Sequence, residues 1–132
     1  MIDFEKWERL QRQEKSLANE VETLKQEVMD RRPAVNQQLD LFKRAIGMTG
    51  LRARRSAAGF LDEYHRDPEG VINALRADDH PALEAAKHHQ QMLGALKRSE
   101  TALADAEARL NAFRPAFFRA REYVVQLGGN AL

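Results

Sequence analysis

The chain contains no cysteine. Disulfides, thiolate nucleophiles and cysteine-ligated zinc are therefore excluded, although the compartment is not fixed by this. Glycines number seven and prolines four, and they fall at the joints between helical stretches. No glycine-rich loop is present to cradle a phosphate, and Ser16, Ser56 and Ser99 lack the glycine-framed elbow of a serine nucleophile. No run approaches the ~18 consecutive apolar residues that span a bilayer. The opening Met1-Ile2-Asp3-Phe4-Glu5-Lys6 lacks the basic start and apolar core of a signal peptide. Charge of one sign is also missing: 21 Lys and Arg stand against 20 Asp and Glu, a net +1. Global charge thus selects no partner. A cytoplasmic protein is the expectation.

What the chain does have is helical periodicity. Trp7, Leu10, Leu17, Val21, Leu24 and Val28 step by three and four, with Glu14 in the one skipped place. In heptad terms Trp7, Glu14, Val21 and Val28 take a, and Leu10, Leu17 and Leu24 take d. A second seam has His89, Leu96, Leu103 and Leu110 at a, with Ala85, Met92, Ser99, Ala106 and Phe113 at d. Neither helix can leave its apolar stripe in water. No strand signal longer than a few residues occurs, so the chain is expected to be all-α.

The joints set expected boundaries. The first helix spans about 3–32, stopped by Pro33, which lacks a donor and clashes with the previous turn. Pro33 can instead open a second helix with Val35, Leu39, Phe42 and Ile46 on one face, ending at Gly47. Thr49 caps a third helix from Leu51 to about His65. Asp67-Pro68-Glu69 starts a short fourth helix ending near Asp78, and Asp79-His80-Pro81 starts the fifth, over about 81–114. Pro115 interrupts that one, and an amphipathic segment over 116–127 follows. The heptad count survives the proline through Phe117, Ala120, Val124 and Leu127, so the alternative is a kinked continuation of the same helix.

The expected architecture is a single domain over 1–132. The two long helices form an antiparallel coiled-coil hairpin, a stalk, with residues 34–80 as a small helical head inserted between them. The layers best matched by size are those whose residue numbers sum to 113. They place Leu10 by Leu103, Leu17 by Leu96, Trp7 by the small Ala106, and Glu14 by Ser99. The rival is a parallel homodimer through the first helix, with Glu20–Lys25 and Glu27–Arg32 as g-to-e pairs.

Four features carry possible chemistry. Residues 43–66 hold six basic and two acidic side chains, while residues 67–84 hold one basic and five acidic. Arg52, Arg54 and Arg55 fall in an expected first helical turn, which favours acids. They are therefore candidates for binding a partner, against the bland reading of a solvated face. Lys43, Arg44, Arg52, Arg54 and Arg55 together are the candidates for nucleic acid. Phe117 and Phe118 are adjacent and cannot both enter one narrow stripe. With Arg121 they form a second candidate partner site. His80, Glu84 and His88 recur every four residues, which resembles metal-ligand spacing. A helix start with a capping residue and a surface pair explains them better, since His80 lies at the helix start, so no metal or cofactor is expected. Acidic pairs such as Asp62-Glu63 and Asp78-Asp79 have no nucleophile in view.

The reading is a non-enzymatic interaction protein: an adaptor, chaperone, assembly factor or inhibitor working through its helical surfaces. The alternative is nucleic-acid binding through 43–55, and the remote one a metal-dependent helical enzyme.

Overall fold

A computed structural model describes residues 4–47 and 57–127. Four helices follow one another: α1 (Phe4–Gly47), α2 (Ala57–Arg66), α3 (Pro68–Ala77) and α4 (Leu83–Gln126). Among the described residues there is no strand. The fold is all-α, a helical hairpin in which α1 and α4 pack against each other, with the two short helices between them in the chain. No helix among the described residues is long and apolar enough to cross a membrane.

Pro33 and Pro115 sit inside helices rather than ending them. Pro33 lies within α1 and Pro115 within α4, each helix having 44 residues. The expected breaks after residues 32 and 114 are therefore not made. The physical reason is position. Both prolines face solvent, and so do Met29 and Asn111, whose carbonyls lose a donor to them. Water can serve those carbonyls, so the missing bond is not a buried loss. The expected second helix is simply the end of α1, and the segment over 116–127 is the end of α4. α1 is described as far as Gly47, and the stop expected there adjoins residues outside the description. Thr49 and Leu51–Ser56 lie outside the described residues.

The chain forms two compact units, residues 1–28 with 99–132, and residues 29–98. The first is a two-helix pair. Val21, Ala106 and Leu110 are its buried cluster, flanked by Leu17, Ala18, Leu24 and Leu103. Its register is fixed by four cross-helix contacts: Trp7 on Phe117, Glu14 with Arg114, Glu20 with Arg109, and Glu27 with Ser99. Rising numbers on α1 meet falling numbers on α4, so the pair is antiparallel. The numbers of these partners sum to about 127 rather than 113, a slip of two heptads. Trp7 is thus not on Ala106, nor Glu14 on Ser99. Because the slip is a multiple of seven, every a and d position keeps its role. Trp7, Val21 and Val28 are buried, and so are Ser99, Ala106 and Leu110.

Polar contacts finish this unit. Arg109 donates from both terminal guanidinium nitrogens to the Glu20 carboxylate, at 2.6 and 3.1 Å. This holds the Glu20 carboxyl below its ordinary range and the guanidinium above its own. Ser99 Oγ donates to Glu27 at 3.0 Å. Glu20 and Glu27, the acids of the g-to-e pairs expected in a parallel homodimer, each bond to α4 of their own chain.

The second unit packs α1 (from Met29), α2, α3 and the start of α4 around one core. Phe42 and Ile46 come from α1, Phe60 and Tyr64 from α2, Val71 and Leu75 from α3, and Ala82 and Ala86 from the entry to α4. The rings of Phe42 and Tyr64 approach to 4.6 Å. Alanine at 82 and 86 leaves the volume those rings need, which is how large and small residues interdigitate. Asp67 caps α3, its carboxylate accepting from Gly70 N at 3.1 Å. The far end of α3 closes with His80 N bonded to Leu75 O and Asp79 N to Arg76 O. Asp79 then sits at φ 47, in the left-handed region where glycine is usual.

Candidate functional site

The end of α4 carries the first candidate. Phe117 and Phe118 are split as their adjacency requires. Phe117 stacks on Trp7 with centroids 5.4 Å apart, and packs near Phe113 at 6.0 Å. Phe118 is 47 % exposed and Val125, seven residues on, is 54 % exposed. Seven residues is close to two helical turns, so the two lie on one face. With Arg121, Glu122 and Gln126 they line an open groove of about 650 Å³. Val124, on the other side of the helix, is buried. The sequence reading named Phe118 and Arg121 and included Phe117, which is half-buried against Trp7. It passed over Val125, which the seam count left outside a and d.

The basic segment is only partly placed. Lys43 and Arg44 are exposed in the last turns of α1. That is where a helix dipole welcomes cations, so their position needs no partner to explain it. Arg52, Arg54 and Arg55 lie outside the described residues.

The residues with metal-like spacing do not converge. His80 lies before α4, where its Nδ1 accepts from Ala82 N at 3.0 Å. Glu84 sits 3.5 Å from Lys87, its neighbour one turn on, and His88 is exposed. Among the described residues no group of three histidine or carboxylate side chains is arranged to hold a metal ion. The expected start of the fifth helix at Pro81 moves to Leu83 for the same reason: the His80 side chain organises the turn before it.

A polar cluster that sequence reasoning missed lies in the second unit. Tyr64 OH is 2.6 Å from His89 Nδ1 and accepts from Gln90 Nε2 at 2.8 Å. The Ala86 carbonyl stands 3.4 Å from the same hydroxyl. Tyr64 is fully buried and His89 is 2 % exposed. Gln90 donates to the phenol oxygen, and the phenol proton is assigned to Nδ1 rather than to the more distant Ala86 carbonyl. His89 then carries its own proton on Nε2. Burial holds the imidazole below its ordinary range, and the charge on His65 adds to that. Burial also pushes the Tyr64 hydroxyl up, against the opposing effect of the Gln90 bond. The signal was there in part. His89 occupied an a position of the second seam, and a polar ring in an apolar stripe needs a partner. The partner, 25 residues away in the chain, was not readable.

No protein-family model, no curated protein and no solved structure matches the chain.

Proposed function

We propose that the chain is a non-enzymatic interaction protein, acting in the cytoplasm as an adaptor, chaperone, assembly factor or inhibitor. Its partner is another protein, bound through the helical surface at the end of α4. The observation that carries this reading is the exposed pair Phe118 and Val125, side by side on one face, with Arg121 beside them in an open groove. Exposed aromatic and arginine side chains are what interfaces use as anchors. Phe117 supports the site from behind by fixing the helix against Trp7.

The test compares capture by the wild type with capture by a Phe118→Ala/Arg121→Ala/Val125→Ala variant, from extract of the native host, read by quantitative mass spectrometry. The expected result is one partner near stoichiometric amount, lost at least tenfold by the variant, with circular dichroism unchanged. Equal capture by both discards the site.

A second reading, nucleic-acid binding, is favoured by the charge segregation of residues 43–66 and by the exposure of Lys43 and Arg44. Affinity would then fall steeply with salt, in step with the phosphates neutralised. A gel-shift series with no complex at low salt removes it.

A further inference from the structure

Tyr64 is central to how α2 is held. Among the described residues, α2 enters the core through Phe60 and Tyr64, with Leu61 partly buried beside them. The Tyr64 hydroxyl makes polar contacts from α2 to α4, at His89, Gln90 and the Ala86 carbonyl. The core around the ring includes Phe42 from α1, and Val71 and Leu75 from α3. The charged group acting on His89 is His65, next to Tyr64 on α2, and its effect is repulsive. The Tyr64 ring lies 5.8 Å from the ring of His65 and 5.5 Å from that of His89.

We propose that the Tyr64–His89 pair is an acid-sensitive latch, holding α2 on α4 while His89 is neutral and releasing it when His89 gains a proton. A second proton on His89 takes the Nδ1 position, so the phenol can no longer donate there. Its proton must turn to the Ala86 carbonyl, at the longer distance of 3.4 Å. The imidazolium then sits in a core with a repulsive His65 nearby, and burying a charge without an opposite partner is costly. Letting α2 go returns His89 to water, moves it away from the exposed His65, and uncovers Phe42 and Phe60.

The sign follows from linkage. His89 is neutral in the folded core at pH values where the unfolded chain already binds a proton. The contribution of the latch is complete above the ordinary histidine value of 6.5, and it is lost as pH falls below that value toward the lowered one of the fold.

The experiment is hydrogen exchange read by mass spectrometry on the full chain at pH 7.5 and 5.5, corrected for intrinsic exchange rates. Binding of an apolar dye is read in parallel. The expected result is at least tenfold faster exchange in residues 57–66 at pH 5.5. Residues 99–126 keep their protection and dye binding rises. In His89→Gln, which keeps an acceptor for the phenol and cannot titrate, the pH response should disappear. In His65→Gln it should persist but shift to lower pH. Uniform protection of α2 at both pH values overturns the latch. So does loss of protection in α2 and in residues 99–126 together, which is ordinary acid unfolding, and so does a full acid response in His89→Gln. If His89→Gln does not fold, the wild-type series and the direction of the His65→Gln shift decide alone.

Discussion

The indole of Trp7 lies on the ring of Phe117, centroids 5.4 Å apart and planes 14° from parallel. This contact between the fourth residue of α1 and the late part of α4 is one of the four that set the register of the first unit. It also has a cost. Among the described residues, Trp7 Nε1 is a buried donor with no hydrogen-bond partner. The stack, with the apolar area it removes from water, outweighs that orphan donor.

Trp7 is the chain's one tryptophan, so its emission reports this register directly. Phe117→Ala should red-shift the emission and destabilise the fold by about 1–3 kcal/mol, as expected for truncating a half-buried aromatic. Ala106→Leu should cost a similar amount, on the order of 1–3 kcal/mol, by overpacking the Val21–Leu110 cluster. The two differ in their spectra. Ala106→Leu should leave Trp7 emission where it was, and a shift as large as that of Phe117→Ala would restore the 113 register.

Removing the orphan donor is the complementary experiment. Trp7→Phe loses the unpaired N–H and some apolar area together, so its cost should be small, roughly 1 kcal/mol or less. Urea denaturation measures it. A loss of more than about 4 kcal/mol would mean that the indole nitrogen has an acceptor after all.

Backbone positions give predictions with the opposite sign. Asp79 holds a left-handed conformation that glycine adopts freely, so Asp79→Gly should raise stability by up to about 1 kcal/mol. Asp67→Ala, one short helix away, should lower it by about 0.5–2 kcal/mol, because Gly70 N loses its acceptor. Thermal melts of the two single variants check both signs at once.

The prolines predict a gain as well. Pro33→Ala restores a donor in the interior of α1 and should stabilise by roughly 1–3 kcal/mol. A destabilisation would show that the proline shapes α1 in a way a straight helix cannot reproduce.

The seams were legible because a period of seven repeats often enough to be counted. The buried column Trp7, Val21, Val28, Val35 and Phe42 keeps one heptad phase through Pro33. Register was less legible, since layers summing to 113 and to 127 align the same letters. What decides between them is where the helices end, and the sequence reading stopped α1 at a proline that faces solvent. The α3 cap at Asp67 was readable because its signal is local. The Tyr64–His89 contact was not, because it depends on how α2 folds onto α4. At the candidate partner site, adjacency alone implied that one of Phe117 and Phe118 must be exposed. The chain did not say which, because that depends on Trp7.

The unbroken heptad phase also constrains how this chain can change in length. An insertion of one or two residues in α1 would rotate everything beyond it away from α4. Seven residues added to α1 alone would keep the phase but shift every rung of the ladder, separating Glu20 from Arg109 and Trp7 from Phe117. Growth or shrinkage is confined to matched steps of seven, one in each long helix at the same level. Descendants of this sequence should therefore differ in helix length by whole, paired heptads.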